Sequence, residues 1–276
     1  MAAIAPTTAL LAAELVDGTI TPIHAIDADK ILPIGSNFKL WILGTLAMQV
    51  AEGTLEWEQP VEIQEKYLSV PGGDLRYVKP GITFTLRFLA ERMIQKSNNT
   101  ATDHMLFLAG RENVEQKMTA MGVSDPARNI PLLSTRELTM LKFAYPKDKV
   151  DAYYAASVEE RRRILSEDID AIPYEALANL DQTKPIEIDR VEWFASREDL
   201  SRSMAWLLAE SQKPGLRPVT EIMALETPIP FDGETWPYVG YKGGSELGVL
   251  SVTWPWNELM GVTSSTASAS GTQTRE

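Results

Sequence analysis

Cysteine is absent from the 276-residue chain, and histidine occurs only as His24 and His104. The absence of cysteine excludes thiol catalysis, disulfides, iron–sulfur clusters and cysteine-ligated zinc sites. Two histidines cannot build a multi-histidine metal site. His24 lies in a predicted strand and His104 in a predicted helix, which favours structural roles for both. We therefore expect neither a metal ion nor another cofactor.

Positive charge and long apolar runs are also scarce. The formal net charge is -12, whereas nucleic-acid binding requires clustered lysine and arginine, so nucleic acid is not an expected partner. No run approaches the ~18 apolar residues that cross a membrane. The N-terminus lacks the basic and apolar regions of a secretory signal. These features predict a cytoplasmic protein with a small-molecule substrate and no membrane partner, and they leave the oligomeric state open.

One segment, from Pro33 to Ala51, organises the chain. Nearly every residue after Ser36 is apolar or small, which predicts a helix buried within the domain. Ser36 and Lys39 begin this helix on one face, three residues apart. Burial disfavours the charged form of lysine, and a lysine with a lowered pKa can activate a serine nucleophile. An N-capping serine followed by a lysine that extends to solvent is the alternative interpretation of the pair alone.

The other patterns predict strands near both termini and helices between them. Strands are expected at 18–26, with Pro22 at a sheet edge, and in a hairpin at 238–242 and 248–254 around a glycine turn. Helices are expected at 8–15, 85–95, 100–108, 111–121, 134–143, 147–170 and 196–209. This order predicts an α/β (α+β) fold, in which an antiparallel sheet from both termini packs with a mostly helical region.

The same patterns predict one two-lobed domain over residues 1–262. The sheet lobe is expected at about 1–35 and 215–262, and the helical lobe at about 36–214. The Ser/Thr/Ala-rich tail, 263–276, is expected to be disordered. A seam between the lobes is a usual place for a pocket.

Three polar motifs occur in order: Ser36-Asn37-Phe38-Lys39, Ser97-Asn98-Asn99 and Lys242-Gly243-Gly244-Ser245. In order and spacing they resemble the Ser-x-x-Lys, Ser-Asp-Asn and Lys-Thr-Gly signatures of the penicillin-recognising serine hydrolases, above all class A β-lactamases. The resemblance covers about residues 8–254 and implies a β-lactamase/transpeptidase-like fold. The Ile-Gly-Ser and Gly-Gly-Ser sequences at the first and third motifs also resemble β-lactamase-like hydrolases of clavulanic-acid-type pathways.

The resemblance implies a role for each motif residue. Ser36 would be the acylated nucleophile, and Lys39 would help to deprotonate it. Ser97 would pass a proton to the leaving group, and Asn99 would hold the side-chain amide of the substrate. Lys242 would supply positive potential to a substrate carboxylate and to Ser97.

The third motif would also line the substrate through Gly243, Gly244 and Ser245. The backbone N–H groups of Ser36 and Ser245 would form an oxyanion hole. Together these residues predict a serine hydrolase that forms an acyl-enzyme and cleaves a β-lactam amide, an ester or a thioester.

The motifs depart from the family in three ways. Asn98 replaces an aspartate, and Gly243 replaces a threonine or serine whose hydroxyl usually meets the substrate carboxylate. A Glu-x-x-x-Asn loop, which activates the deacylating water in class A enzymes, is not found between Asn99 and Ser134. Weak β-lactam turnover is therefore expected, and a β-lactam-binding or sensing protein or an inactive relative is the alternative. Of the glutamates nearby, Glu112 and Glu115 are interpreted as solvated and Glu137 as a helix cap.

Overall fold

The structure is a computed structural model that describes residues 7–177, 183–224 and 231–257, and the backbone of residues 264–272. The main sheet contains β1 (Thr7–Val16), β2 (Thr19–Ile26), β7 (Tyr238–Val239), β8 (Lys242–Glu246), β9 (Val249–Asn257) and β10 (Ser264–Thr272). Its order is β2–β1–β10–β9–β7, and β8 also pairs with β9. Every pairing is antiparallel. The predicted sheet built from both ends of the chain is confirmed, and β2, which contains Pro22, lies at its edge.

Two short strand pairs lie outside the main sheet: β3 (Leu32–Pro33) with β6 (Phe194–Ala195), and β4 (Pro60–Glu62) with β5 (Thr83–Thr85). The first pair joins the segment before Ser36 to the segment before the helix at 197–210. It therefore fixes where the organising helix begins.

Helices occupy most of the region between the terminal strands. They are α1 (Lys39–Ala51), α2 (Leu86–Gln95), α3 (Asn99–Ala109), α4 (Arg111–Lys117), α5 (Thr135–Phe143), α6 (Lys147–Ala155), α7 (Val158–Ile164), α8 (Arg197–Glu210) and α9 (Pro218–Met223). Ser134 and Ser196 each form the capping box that their sequences predict. Within the described ranges, no helix is both long and apolar enough to cross a bilayer.

The organising helix α1 is buried on all sides, as its composition predicts. Every residue from Lys39 to Ala47 is buried, and α2, α3, α4 and α8 pack around the helix. Gly44 leaves room for two neighbouring side chains, because a Cβ atom there would lie 2.3 Å from Sδ of Met121, which follows α4, and 3.1 Å from the ring of Trp206 in α8. Gly53, at a φ of 72°, follows the end of the helix.

The predicted helix at residues 8–15 is wrong, because this segment is strand β1. Alanine and leucine favour a helix when isolated. In the fold, however, Ala9, Leu11 and Ala13 alternate with less buried residues, and the backbone pairs with β2 on one side and β10 on the other. Tertiary pairing decides the conformation here.

The predicted disorder of residues 263–276 is wrong for 264–272, which form β10 between β1 and β9. Residues 263 and 273–276 lie outside the described residues. The Ser/Thr/Ala composition carries no hydrophobic alternation. Backbone pairing on both edges of β10 stabilises a strand that its side-chain pattern does not predict.

The expected lobe boundaries also differ from the packing. Helix α8 falls in the predicted helical lobe but packs on β1, β9 and β10 as well as on α1, whereas α9 falls in the predicted sheet lobe but packs on α2. The glycines expected to form a turn, Gly243 and Gly244, lie inside β8, and the tight turn falls at Leu247 and Gly248 instead.

The two histidines occupy the element types predicted for them. His24 lies in β2, where it is exposed, and His104 lies in α3, where it is buried. Nε2 of His104 accepts the backbone N–H of Gln64 at 2.8 Å. This bond ties α3 to the loop that precedes α2.

Candidate active site

Ser36 lies in a 3₁₀ turn, Gly35–Phe38, that leads directly into α1. Three contacts immobilise this turn. The Ile34 N–H donates to the Trp193 carbonyl (2.9 Å), the Phe38 ring stacks on the Trp193 ring with centroids 3.8 Å apart, and Asn37 Nδ2 donates to Ser251 Oγ at 2.9 Å. Ser36 is therefore presented from a rigid position at the junction of α1, β6 and β9.

The turn that holds Ser36 is in backbone contact with strand β8. A Cβ atom on Gly244 would lie 2.2 Å from the Ile34 carbonyl oxygen and 2.5 Å from the Ser36 nitrogen. A Cβ atom on Gly35 would lie 3.0 Å from the Ser245 nitrogen, and Gly35 has a φ of 51°. Only glycine allows this approach. The structure thus brings together the two backbone amides, of Ser36 and Ser245, that the sequence proposes as an oxyanion hole.

Two buried lysines converge on Ser97. Nζ of Lys39 donates to the Ser97 carbonyl (2.8 Å), to Ser97 Oγ (3.2 Å) and to Asn99 Oδ1 (2.7 Å). Nζ of Lys242 donates to Ser97 Oγ at 3.0 Å and to the Gly243 carbonyl. We call Lys39, Lys242, Ser97 and Asn99 the lysine cluster. It contains four of the residues that the three motifs single out.

The two lysines have perturbed acidities. Burial lowers the pKa of Lys39 well below its usual value, the positive charge of Lys242 lowers it further, and Asp103 opposes both effects. Burial lowers the pKa of Lys242 to about 7. An amine that is partly neutral near pH 7 can accept a proton from a hydroxyl group.

Asp103 lies beneath the lysine cluster and holds the start of α5. Its carboxylate accepts the backbone N–H and the hydroxyl of Thr135, each at 2.7 Å, and the backbone N–H of Arg136 at 2.9 Å. Burial raises the pKa of Asp103 to about 7, although these hydrogen bonds oppose the rise. Asp103 is therefore partly protonated near pH 7, which lessens its tendency to keep Lys39 protonated.

The second motif is a strained turn followed by a helix cap. Ser97 has a φ of 51°, an uncommon value outside glycine. Asn98 caps α3 by accepting the Ala101 N–H (2.9 Å), and its Nδ2 donates to Asp74 at 2.9 Å. The amide of Asn98 thus uses both its acceptor and its donor where the family has an aspartate. A carboxylate there would face Asp74 with like charge.

The side chain missing at Gly243 is replaced in space by another residue. A Cβ atom on Gly243 would lie 2.1 Å from the Tyr241 hydroxyl oxygen. Tyr241 lies two residues earlier along the chain, and its ring packs near Trp254 with centroids 5.6 Å apart. A hydroxyl group is therefore present where a threonine or serine would otherwise supply one.

Two cavities meet at Ser36. One, of about 460 Å³, is lined by Ser36 together with Ser97, Asn99, Tyr241 and residues 242–245. The other, of about 160 Å³, is lined by Ser36, Asn99, Ser245 and residues that the sequence motifs do not include. All the predicted site residues except Lys39 line one or both cavities, and Lys39 reaches the site through Nζ.

The residues that sequence analysis missed form a second group at the smaller cavity. Glu192, Glu246 and Lys142, which we call the carboxyl cluster, come from the segment before β6, from the end of β8 and from α5. Glu192 and Glu246 line the cavity that Ser36 also lines, and Lys142 forms an ion pair with Glu246. The available sequence signal was a lone glutamate between Val191 and Trp193, in an apolar segment.

The glutamates that sequence analysis did weigh have structural partners. Glu137 is the helix cap that its position predicts, and it also pairs with Arg111 at 2.6 Å. The interpretation of Glu115 as solvated is wrong. Glu115 is buried, accepts the Leu132 N–H at 2.8 Å and pairs with Arg162.

Comparison with known proteins places this fold among β-lactamases and related proteins. The sequence model of the Beta-lactamase enzyme family matches residues 5–163. No curated protein sequence matches the chain. Similar solved structures include a β-lactamase from Sphaerobacter thermophilus, which is 16% identical over 96% of this chain and 83% of that chain, with a TM-score of 0.65. Another is a β-lactamase from Chitinophaga pinensis, which is 17% identical over 100% of this chain and 88% of that chain, with a TM-score of 0.62. A mutant of PBP-A, in an acyl-enzyme complex with penicillin G, is also similar, with 16% identity over 96% of this chain and 80% of that chain and a TM-score of 0.60.

These structural similarities show a β-lactamase/transpeptidase-like fold. The family match covers more than half of the 276 residues. The protein therefore belongs to the Beta-lactamase enzyme family.

Proposed function

We propose that the protein is a serine hydrolase that forms an acyl-enzyme on Ser36 and hydrolyses a β-lactam amide or an ester or thioester. The observation that carries this proposal is the convergence of Lys39 and Lys242 on Ser97 Oγ, beside a cavity that Ser36 also lines. Buried lysines with lowered pKa values are costly to a fold, and such perturbation is typical of catalytic sites.

In the acylation step, neutral Lys39 takes the proton of Ser36 as Oγ attacks the substrate carbonyl carbon. The amides of Ser36 and Ser245 stabilise the resulting oxyanion. As the C–N or C–O bond breaks, Ser97 donates its proton to the leaving group. Ser97 then recovers a proton from Lys39, which donates to it, and Lys39 returns to its neutral form.

The substrate would carry an anionic group beside the larger cavity. Lys242 supplies positive potential there, and the Tyr241 hydroxyl stands where a Lys-Thr-Gly motif has its own hydroxyl. Asn99 borders both cavities and would hold an amide of the acyl group. Slow release of β-lactam acyl groups is part of the proposal, because the sequence carries no Glu-x-x-x-Asn loop between Asn99 and Ser134.

Intact-protein mass spectrometry tests this function. The wild-type protein is incubated with a panel of β-lactams and activated esters, beside Ser36→Ala and a matched control, Ser166→Ala, whose serine is exposed and bonds only within its own turn in the described contacts. We expect an adduct on the wild type and the control, and none on Ser36→Ala.

The adduct lifetime separates the alternatives. Decay with formation of more than one product per protein supports a hydrolase, whereas a permanent adduct would favour a binding or sensing protein. No adduct with any probe, on a folded sample, would contradict the proposal.

A further inference from the structure

The carboxyl cluster is a second ionisable group at the site, and two of its members line the smaller cavity that Ser36 also lines. Lys242 and Glu246 stand at the two ends of β8, on the same face of the strand. Gly244, which contacts the turn of Ser36, lies between them on that face. The nucleophile is therefore flanked by a lysine at one end of the strand and by a carboxyl group at the other.

Glu192 and Glu246 lie close enough to influence each other. A hydrogen bond between the two side chains is among the causes that favour the protonated form of Glu192. Burial raises the pKa of Glu192 well above its usual value, and the negative charge of Glu246 raises it further, while Lys142 opposes the rise. The protonated form of Glu192 is therefore favoured, next to the ion pair that Glu246 forms with Lys142.

The cluster is held in place and faces open space. Oε1 of Glu192 accepts the Trp193 N–H at 2.9 Å, and the Trp193 carbonyl in turn holds Ile34, two residues before Ser36. The shared cavity, of about 160 Å³, has room for water beside Ser36. Glu115 and Glu137, which are also buried, instead face arginines and are not among the residues that line this cavity.

We propose that the Glu192–Glu246 pair accepts the proton of the water that hydrolyses the Ser36 acyl-enzyme. This inference rests on the proposed function. The water oxygen forms a bond to the acyl carbon as one water proton passes to the ionised carboxyl of the pair. The bond between the acyl carbon and Ser36 Oγ then breaks, and the pair returns a proton to Oγ. The products are the free acid and the original enzyme.

Lys142 already binds Glu246, so a water molecule must compete with an ammonium group for that carboxylate. This competition agrees with slow release of acyl groups. The reaction should also depend on pH, because protonation of both carboxyl groups removes the acceptor. The groups that set this dependence are Glu246 from β8, Lys142 from α5, Tyr154 from α6 and Lys184 at the cavity rim.

The test compares acyl-enzyme lifetimes on full-length protein. Penicillin G and p-nitrophenyl acetate serve as probes, and adduct decay is followed by intact mass after free probe is removed. The variants are Glu192→Gln, Glu246→Gln and a control, Glu187→Gln, whose glutamate pairs with Arg190 in the same segment. We expect similar acylation rates in all, and decay slowed at least about 100-fold in the two cluster variants only.

The pH profile distinguishes a proton acceptor from a structural role. Wild-type decay should slow in acid as the pair takes up its second proton, and this dependence should disappear in both cluster variants. Glu246 is partly exposed, so Glu246→Gln keeps the test valid if Glu192→Gln does not fold. Equal lifetimes in wild type and both variants would overturn this inference alone. A wild-type adduct that never decays would overturn this inference and the hydrolytic step of the proposed function, and would leave acylation of Ser36 intact. Absence of any wild-type adduct would instead overturn the proposed function and this inference with it.

Discussion

The lysine cluster and the carboxyl cluster flank the same serine, and burial perturbs them in opposite directions. In the lysine cluster, two buried ammonium groups meet hydroxyl, amide and carbonyl oxygens, and their pKa values fall. In the carboxyl cluster, two carboxyl groups meet one lysine, and the pKa of Glu192 rises. The lysine cluster contains two lysines and no carboxylate, and the carboxyl cluster contains two glutamates and one lysine, so each has an excess of groups of its own sign. The comparison shows that one site can favour a neutral amine and a neutral carboxylic acid at the same pH. It does so because each buried group lies near too little opposite charge to stabilise its ionised form.

This arrangement also separates the proposed chemical steps. The lysine cluster would form the acyl-enzyme, and the carboxyl cluster would release it. In a chain of net charge -12, the part that would meet the proposed anionic substrate contains two buried lysines. The following predictions test whether the two clusters are as distinct as their surroundings suggest.

The largest expected effect is on acylation when the lysine cluster loses its base. Lys39→Met keeps the apolar stem of the side chain but removes the amine, so the rate of adduct formation should fall by about 10²–10⁴-fold. Stopped-flow release of p-nitrophenol from p-nitrophenyl acetate measures it. Lys213→Met, at an exposed ion pair with Glu210, is the control. An unchanged acylation rate in Lys39→Met would assign the base to another residue.

A smaller loss is expected when the contact between β8 and the Ser36 turn is forced apart. Gly244→Ala places a Cβ atom against backbone atoms of Ile34 and Ser36, which cannot rotate away. Displacing one oxyanion donor should lower the acylation rate by about 10²–10³-fold. Gly243→Ala is the matched control, because its Cβ atom meets the mobile end of Tyr241. Equal losses in the two variants, measured with the same ester, would contradict the assigned oxyanion hole.

A modest effect is expected at the substrate end of the lysine cluster. Tyr241→Phe removes the hydroxyl beside Gly243, so KM for penicillin G should rise by about 5-fold, which corresponds to the roughly 1 kcal/mol of one hydrogen bond. The acylation rate with uncharged p-nitrophenyl acetate should not change. Adding Gly243→Thr to Tyr241→Phe should restore KM. If the double variant binds no better than the single one, Tyr241 does not substitute for the missing hydroxyl.

The smallest effect is on the free energy of unfolding, where the two clusters should respond to pH in opposite ways. Glu192 has a raised pKa in the fold, so its stabilising contribution is complete below its unfolded pKa and is lost as pH rises through its folded pKa. Glu192→Gln should therefore gain about 0.5–2 kcal/mol relative to wild type at neutral pH and nothing near pH 4.

Lys39 shows the reverse trend. Its pKa is lowered in the fold, so its contribution is complete above the unfolded pKa and is lost as pH falls through the folded pKa. The stability of Lys39→Met relative to wild type should thus decline as pH rises towards about 10. Thermal unfolding of both variants across pH measures the two trends, and parallel trends would remove the distinction between the clusters.

Sequence patterns predicted this fold wherever a residue's neighbours along the chain decide its structure. The apolar segment after Ser36 predicted α1, and the serines at 134 and 196 predicted capped helices. The strand β1 was predicted as a helix, because its alanines and leucines become a strand only through pairing with β2 and β10. Strand β10 was missed for the same reason.

The candidate site divides along the same line. Ser36, Ser97 and Lys242 lie in short motifs, and the structure brings these motifs together. Glu192 and Glu246 lie far apart in the chain, and neither belongs to a recognisable spacing. Their pairing depends on the segment before β6 and the end of β8 lining one cavity, which local patterns do not encode. The position of the Tyr241 hydroxyl was likewise not predicted, since only the structure shows that it lies beside Gly243.

The proposed site depends on the register of strand β8 against its neighbour β9. Within five residues β8 presents Lys242 to one cluster, the Ser245 amide to the proposed oxyanion hole and Glu246 to the other cluster. Its alignment rests on pairing with β9, where Lys242 faces Thr253 and Glu246 faces Val249. A slip of one residue would reverse every side chain of the strand. The turn at Leu247 and Gly248 joins β8 to β9 and so helps to fix this register. It therefore positions the residues of both proposed steps, acylation and hydrolysis of the acyl-enzyme.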